Sequence, residues 1–214
     1  MTKRLKTLYS LVIKGGIFAD VGCDHGYVAK NALLSGDFES VIISDISKPS
    51  LEKAEKLLEP YKNKVQSIVC DGLDGYKAIP NVVFIAGMGG EEICSIISKA
   101  NFKPMQYVLS PQKNSNKVRK LLLDLGYKID NDFTFYDKKY YDAISATIGV
   151  DSYTQNELIF GRDNLKNRTS EFLDKLNVDA KILKSVISNK NVSNSDRIEA
   201  EQKLTLINGV LYEN

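Results

Sequence analysis

The first half of the chain alternates short apolar runs with longer amphipathic stretches. The apolar runs cover residues 17–21, 41–44, 65–69, 82–85 and 107–109. Their length and their scarcity of charge, with Asp20 as the one charged residue among them, are typical of strands buried on both faces of a parallel sheet. The stretches between them carry apolar residues at helical spacing. Alternation of this kind predicts an α/β fold with a doubly wound sheet.

The helices of this pattern are predicted at residues 3–14, 27–34, from about 48, from 91 to about 100, and 116–125. Two later stretches, 128–135 and 140–150, alternate apolar with polar positions and are joined by Tyr136–Lys139. Strict alternation predicts an antiparallel hairpin, which we place at the edge of the sheet.

From residue 163 the composition shifts to Lys, Asn, Glu and Leu with helical period. Two apolar stripes follow, with a turn at 189–195 between them: Leu165, Phe172, Leu176, Leu183 and Ile187, then Ala200, Leu204, Ile207 and Leu211. Facing stripes predict an antiparallel helical hairpin of coiled-coil type. We therefore predict a Rossmann-like domain at 1–155 and a helical domain at 160–214. The hairpin is either a packing or dimerisation arm, or a basic lever for a large anionic substrate.

Composition narrows the class of protein only slightly. The net charge of +2 does not by itself identify a nucleic-acid-binding protein. Cys23, Cys70 and Cys94 are odd in number and form no C-x-x-C pair, so we expect neither a disulfide framework nor a metal site. The cationic start resembles a secretory signal, but its apolar run is short and no small-residue cleavage site follows. We expect a cytoplasmic monomer without membrane spans.

The turn after the first strand predicts a ligand site. Gly22 and Gly26 bracket it, and Asp20 and Asp24 stand where a dinucleotide would place its pyrophosphate. Two carboxylates would repel phosphates, so an NAD-binding site is disfavoured. S-adenosylmethionine (SAM) carries no phosphate and offers two cationic groups, so we expect SAM. The alternative is an ordinary turn with solvated acids.

Acids also follow the second and third strands. Asp45, with Ile46 beside it, is placed to accept hydrogen bonds from ribose hydroxyls, and Asp71 with Gly72 to bind the adenine of the cofactor. Asp45 could instead cap the next helix, and Asp71-Gly72 could be an ordinary turn. Acids at successive strand ends favour a shared site.

The fourth strand runs into Ala86-Gly87-Met88-Gly-Gly90, and its glycines allow a ligand to approach the backbone closely. We expect this loop to form the floor of the reaction site, although Met88 could simply be a packing residue. His25 is the single histidine, and Tyr27 follows it. We predict catalytic roles for Asp24, His25, Tyr27 and Met88, against the alternative that His25 is structural.

Several motifs together resemble one family. They are Arg4–Thr7, Asp20–Tyr27, Asp71–Leu73, Ala86–Gly90, Val118–Lys120 and Phe160–Gly161. The chain is similar along its length to the bacterial TrmK family. The resemblance implies a class I SAM-dependent methyltransferase with a coiled-coil domain that methylates N1 of adenine 22 in tRNA.

The resemblance extends the candidate site to RNA contacts. The cofactor set is Asp20, Gly22, Asp24, Gly26, Asp45, Ile46, Asp71, Gly72, Ala86, Gly87 and Met88. The RNA-binding set is Arg4, Lys6, Lys117, Arg119, Lys120, Arg162, Lys166 and Arg168. Two other functions stay open: a SAM-dependent methyltransferase of another substrate, and a non-catalytic RNA-binding module with the same fold.

Overall fold

The computed structural model describes residues 1–212. Its strands are β1 Ile17–Val21, β2 Ser40–Asp45, β3 Val65–Val69, β4 Val82–Ala86, β5 Gln106–Ser110, β6 Tyr127–Asp137 and β7 Lys139–Ile148. Its helices are α1 Lys3–Tyr9, α2 Tyr27–Leu34, α3 Lys48–Leu58, α4 Gly90–Lys99, α5 Ser115–Asp124, α6 Gln155–Phe160, α7 Arg162–Asn167, α8 Ser170–Ser188 and α9 Asn194–Tyr212. A 3-10 helix at Glu59–Lys64 leads from α3 into β3.

One sheet carries the fold, with the strand order β3-β2-β1-β4-β5-β7-β6. The strands β1 to β5 are parallel, and β7 pairs antiparallel with β5 and β6. The order reverses between β1 and β4, where open α/β sheets bind ligands at their carboxyl edge. This confirms the predicted Rossmann-like fold with an antiparallel edge.

Alternate residues of the buried strands supply two separate cores. Ala19 of β1 packs with α4 and α5 on one face of the sheet. Phe18, its neighbour, packs with α1, α2 and α3 on the other face. Successive side chains point to opposite faces of a strand, so a strand covered on both sides must be apolar throughout. Among the described residues, no helix combines the length and apolarity that crossing a bilayer requires.

Two predicted boundaries are wrong. The first helix ends at Tyr9 rather than residue 14, because the Gln106 side chain holds the next segment in a non-helical path. Its Oε1 accepts from the Ile13 amide at 2.8 Å, and its Nε2 donates to the Leu11 carbonyl at 2.7 Å. The β6–β7 turn is Lys138 alone, with φ at +65°, rather than the four residues predicted.

The helices α8 and α9 form the predicted hairpin. Phe172, Leu176, Ala180 and Ile207 make up its buried core, together with Phe160 of α6. Leu165, the first residue of the predicted stripe, lies on α7 rather than on α8. The helices α6 and α7 thus lead into the hairpin.

A crowded turn joins α6 to α7. Gly161 has φ at +89°, and a Cβ there would lie 2.9 Å from Asp132 Oδ1 and 3.0 Å from an Arg119 nitrogen. The side chain of Asn164 accepts from the Thr134 amide at 2.7 Å. These contacts fix α7 against β6.

Arg119 is the central residue of this junction, and its predicted RNA contact is wrong. It is 1% exposed. Its Nε lies 2.9 Å from Asp132 Oδ2, and its Nη1 donates to the carbonyls of Leu158 and Ile159 at 3.1 and 3.2 Å. The guanidinium thus ties α5 to β6 and α6 and does not reach the surface.

Replacing this cation should destabilise the fold. We expect Arg119→Ala to lower the free energy of unfolding by about 3–5 kcal/mol, because it leaves the Asp132 carboxylate buried without its partner. Lys120→Ala is the matched control, since Lys120 pairs with Asp124 at the surface, and it should cost below about 1 kcal/mol. Urea unfolding measures both. Equal losses in the two variants would contradict this role for Arg119.

Candidate cofactor and substrate site

A cavity of about 530 Å³ opens at the carboxyl edge of the sheet. It lies where the strand order reverses, and the loops after β1, β2, β3 and β4 all contribute to its wall. Its volume is typical of pockets that enclose a small molecule. All the residues of the predicted cofactor set except Gly26 line it.

The turn after β1 is built for close approach. Gly22 has φ at +68°, and a Cβ there would collide with Met88 Cε. Gly26 also has φ at +68°, and a Cβ there would lie 2.9 Å from Ala54 Cβ. Gly26 therefore packs α2 against α3 instead of lining the cavity, and it acts on the site through that packing.

The β1 and β2 acids differ in environment. Asp20 is 4% exposed and accepts from the Ala29 amide at 3.1 Å. Burial raises the pKa of its carboxyl to about 7. Asp45 lines the cavity while accepting from the Ser47 amide at 2.8 Å and from the Asp24 amide at 3.3 Å. The N-cap of α3 is Ser47, so Asp45 does not cap the helix. It holds together the loops that follow β1 and β2.

The β3 acid is more exposed than the other two. Asp71 pairs with Lys99 at 3.0 Å, and both side chains are more than half exposed. Gly72 has φ at +72°, and a Cβ there would lie 2.7 Å from Ile96, so the turn requires glycine. The acids at the strand ends thus share one cavity but range from buried to solvated.

A hydrogen-bond chain beneath Gly72 is absent from the sequence prediction. Ser44 Oγ lies 3.1 Å from the Gly72 carbonyl and 2.8 Å from Tyr76 Oη. A carbonyl only accepts, so Ser44 gives its one proton to Gly72 and Tyr76 donates to Ser44. Burial raises the pKa of Tyr76 above its usual value, which keeps it a donor. The chain fixes the loop after β3.

The mouth of the cavity carries an exposed aromatic pair. His25 Nδ1 lies 2.6 Å from Asp24 Oδ2, and Asp24 has the unusual φ of +45°. The His25 ring stacks on Tyr27 with centroids 5.6 Å apart and planes 5° apart. Three predicted catalytic residues are therefore adjacent, at the entrance rather than in the depth of the cavity.

The floor is a pair of interlocked loops. Gln112 donates from its amide to the Met88 carbonyl at 2.9 Å and from Nε2 to the Gly87 carbonyl at 2.6 Å. The Gly90 amide donates to the Lys113 carbonyl at 2.9 Å. Gln112, which the predicted set omits, lines the cavity and holds the glycine loop of β4 to the end of β5.

Most predicted RNA-binding cations of α5 and α7 are already paired. Lys117 lies 2.5 Å from Glu91, Lys120 lies 3.1 Å from Asp124, and Arg162 contacts both Asp151 and Glu157. The remaining predicted cations are Arg4 at the cavity, exposed Lys6 and Lys166, and exposed Arg168, which donates to the Val210 carbonyl at 2.8 Å.

Within residues 1–212, no group of three or more His, Cys, Asp and Glu side chains has the arrangement of a metal site. The aspartates of the cavity are spread over separate loops: Asp20 and Asp45 accept from backbone amides, Asp24 contacts His25, and Asp71 pairs with Lys99.

The fold, with an acidic cavity where the strand order reverses between β1 and β4, defines a class I methyltransferase. A family model described as a methyltransferase domain matches residues 1–144. The chain is 35% identical to a candidate tRNA methyltransferase of Mycoplasma pneumoniae, over 72% of this chain and 75% of that one. It is 28% identical to the tRNA (adenine(22)-N(1))-methyltransferase of Bacillus subtilis, over 70% of this chain and 66% of that one.

A crystal structure from Streptococcus pneumoniae shares the whole architecture. It is described as a candidate tRNA (m1A22) methyltransferase in complex with SAM, with a TM-score of 0.88 and 26% identity. The match covers 99% of this chain and 100% of that one. The chain belongs to the methyltransferase domain family and, within it, to the TrmK family.

Asp20 should make the stability of the unliganded protein depend on pH. Its folded pKa of about 7 lies above the unfolded value of 3.8, so the folded state binds the extra proton between these values. Its contribution to the free energy of unfolding is therefore fully present below pH 3.8 and lost as the pH rises through about 7. In urea unfolding, we expect the free energy of unfolding of wild type minus that of Asp20→Asn to fall as the pH rises from 3.8 to about 7. A difference that is flat across the range would contradict it.

Ser44 should act on the cofactor through Gly72. Ser44→Ala breaks the chain from Tyr76, so the Gly72 loop loses its fixed position, and we expect SAM affinity to fall about fivefold. Calorimetric titration measures the affinity. Ser40→Ala is the matched control, since Ser40 lies at the opposite end of β2 and should leave the affinity unchanged. Equal affinities for Ser44→Ala and wild type would refute the role.

Proposed function

We propose that this protein transfers the methyl group of SAM to N1 of adenine 22 in tRNA. The observation that carries the proposal is the convergence of Asp20, Asp24 and Asp45 on one cavity beside a glycine turn. Such a cavity favours a cationic ligand without phosphates. The relatives with a named substrate act on tRNA, and that of Bacillus subtilis is named for adenine 22.

The residues present fit SAM. Each Asp45 oxygen accepts one backbone amide and keeps a further acceptor site for the hydroxyls of a ribose. The Gly22 turn and the Gly87 loop present backbone without a side chain to the same space. We assign the amide of Gly72, whose carbonyl is held by Ser44, to the adenine of the cofactor. When bound, SAM supplies an activated methyl group on a sulfonium.

The residues at the mouth suit an adenine acceptor. N1 of an unpaired adenine has an in-plane lone pair, so no base has to remove a proton before transfer. The task of the site is to align the reacting atoms and to exclude water. The target base must leave its helix to reach the cavity, and the His25–Tyr27 stack offers it a flat aromatic surface.

We propose that Asp24 stabilises developing positive charge and does not transfer a proton. The methylated ring is cationic, so a carboxylate near it stabilises the charge that develops during transfer. The contact with Asp24 holds the His25 ring in the orientation that stacks on Tyr27. We therefore assign Asp24 to electrostatic stabilisation, and His25 with Tyr27 to positioning of the base. Met88, packed against the Gly22 turn, shapes the floor.

The wider organisation is also part of the proposal. We place the boundary between the catalytic and helical domains at residues 155–160, which form α6. Lys6, Lys166 and Arg168 remain candidate RNA contacts because they are exposed. We also propose that the protein acts on tRNA as a monomer in the cytoplasm.

The direct test is incubation with unmodified tRNA and SAM, followed by mass mapping of the methylated nucleotide. We expect a single methyl group on adenine 22, and none when that base is replaced by guanine. Methylation of other positions, or of none, would reject the proposed substrate.

The cofactor assignment has its own test in Asp45. Asp45→Ala should weaken SAM binding at least about tenfold, because it removes a charged acceptor from the cavity. Glu55→Ala is the matched control, since Glu55 is an exposed acid on the neighbouring α3. Calorimetric titration of both variants checks this. Unchanged SAM affinity in Asp45→Ala would count against the assignment.

A further inference from the structure

The β6–β7 hairpin extends past the edge of the sheet that holds the cavity. Strand β7 is antiparallel to β5, with Ile144 beside Leu109 near the carboxyl end of β5. From Ile144 back to its start at Lys139, β7 continues for five residues, or roughly 17 Å at about 3.4 Å per residue. The tip of this hairpin therefore stands beside the mouth of the cavity.

The start of α1 is fastened to this tip. Lys3 Nζ donates to the Tyr136 carbonyl at 3.0 Å, and the Arg4 amide donates to Asp137 Oδ2 at 2.7 Å. Asp137 thus binds the backbone at the N-terminus of α1, where a carboxylate is favourable, rather than a cationic side chain. We call Lys3, Arg4, Lys138, Lys139 and Tyr141 the tip surface.

The tip surface holds its cations on an aromatic ring. Arg4 Cζ and Lys139 Nζ each lie 5.1 Å from the centroid of the Tyr141 ring. Tyr141 in turn stacks on Phe135, with centroids 5.8 Å apart. A cation over a ring face is attracted by its quadrupole and keeps its charge for a partner. Arg4 also lines the cavity, so the surface is continuous with the site.

Three of these cations lack the carboxylate partners that Lys117, Lys120 and Arg162 have. Across residues 1–212, no carboxylate lies within 4.0 Å of the charged groups of Arg4, Lys138 or Lys139. The acids near the surface are Asp137, which is bound to backbone, and Glu171 and Asp174 of α8, which lie toward Tyr140 and Lys3. The uncompensated positive charge of this edge therefore concentrates at the tip surface.

We infer that the tip surface binds the sugar–phosphate backbone of the tRNA next to the target adenine, with Tyr141 as a positioning residue for Arg4 and Lys139. The inference rests on the proposed function, because it takes the tRNA as its polyanion. Phosphate contacts fix the register of a protein on a nucleic acid. A phosphate held beside the cavity would present its own nucleotide to the His25–Tyr27 stack.

The test compares tRNA binding and turnover in variants of the tip. In Lys139→Ala we expect the tRNA Kd to rise about fivefold and the slope of log Kd against log salt to fall by about one, since one phosphate contact is lost. Tyr141→Ala should raise the KM for tRNA, while Tyr141→Phe, which keeps the ring, should not. SAM affinity should stay unchanged in all three variants.

Lys64→Ala is the control, because Lys64 is an exposed lysine just before β3, at the opposite edge of the sheet. If Tyr141→Ala fails to fold, Lys139→Glu replaces it, since that exposed residue lies next to the turn. Kd, KM and salt slope equal to those of Lys64→Ala would overturn the inference while leaving methylation of tRNA intact. Absence of methylation by wild type would instead reject the proposed function, and the salt slopes would still decide whether the tip binds tRNA.

Discussion

The site depends on a single carbonyl at the end of β2. Ser44 O accepts from the amides of Gly22 and Cys23 at 2.8 and 3.1 Å. These bonds draw the β1 turn onto β2, while the Ser44 hydroxyl holds the loop after β3 through Gly72. One residue therefore sets the spacing of all the acidic loops. Its own side chain carries no charge, which lets it sit buried among carboxylates.

The electrostatics of the cavity are graded in depth. Asp20 lies deepest and gains a raised pKa from burial, while Asp71 at the rim is solvated and paired with Lys99. Burying an acid without a cation costs stability, and proteins keep such groups where a ligand uses them. A cationic ligand would relieve this cost, so affinity for the ligand and stability of the empty fold are opposed at Asp20.

The sequence allowed the sheet and the acidic strand ends to be predicted because both follow from local patterns. Buried strands such as β4 are apolar throughout, and Asp45 follows such a run directly. The burial of Arg119 could not be predicted from the sequence. Its partner Asp132 lies on another element, and α5 would show the same helical pattern if the cation at position 119 were solvated. The role of Tyr76 was hidden for the same reason.

Gly161 limits how the two halves of the molecule can be arranged. The atoms of Asp132, Arg119 and Asn164 crowd the space a side chain would need there, so this glycine is clamped rather than loose. The next residue with a left-handed backbone is Arg168, at the end of α7. Phe160 of α6 also lies in the buried core of the hairpin, so the clamp at Gly161 couples α8 and α9 to the catalytic body, and the helical pair cannot swing as a separate arm without opening that core.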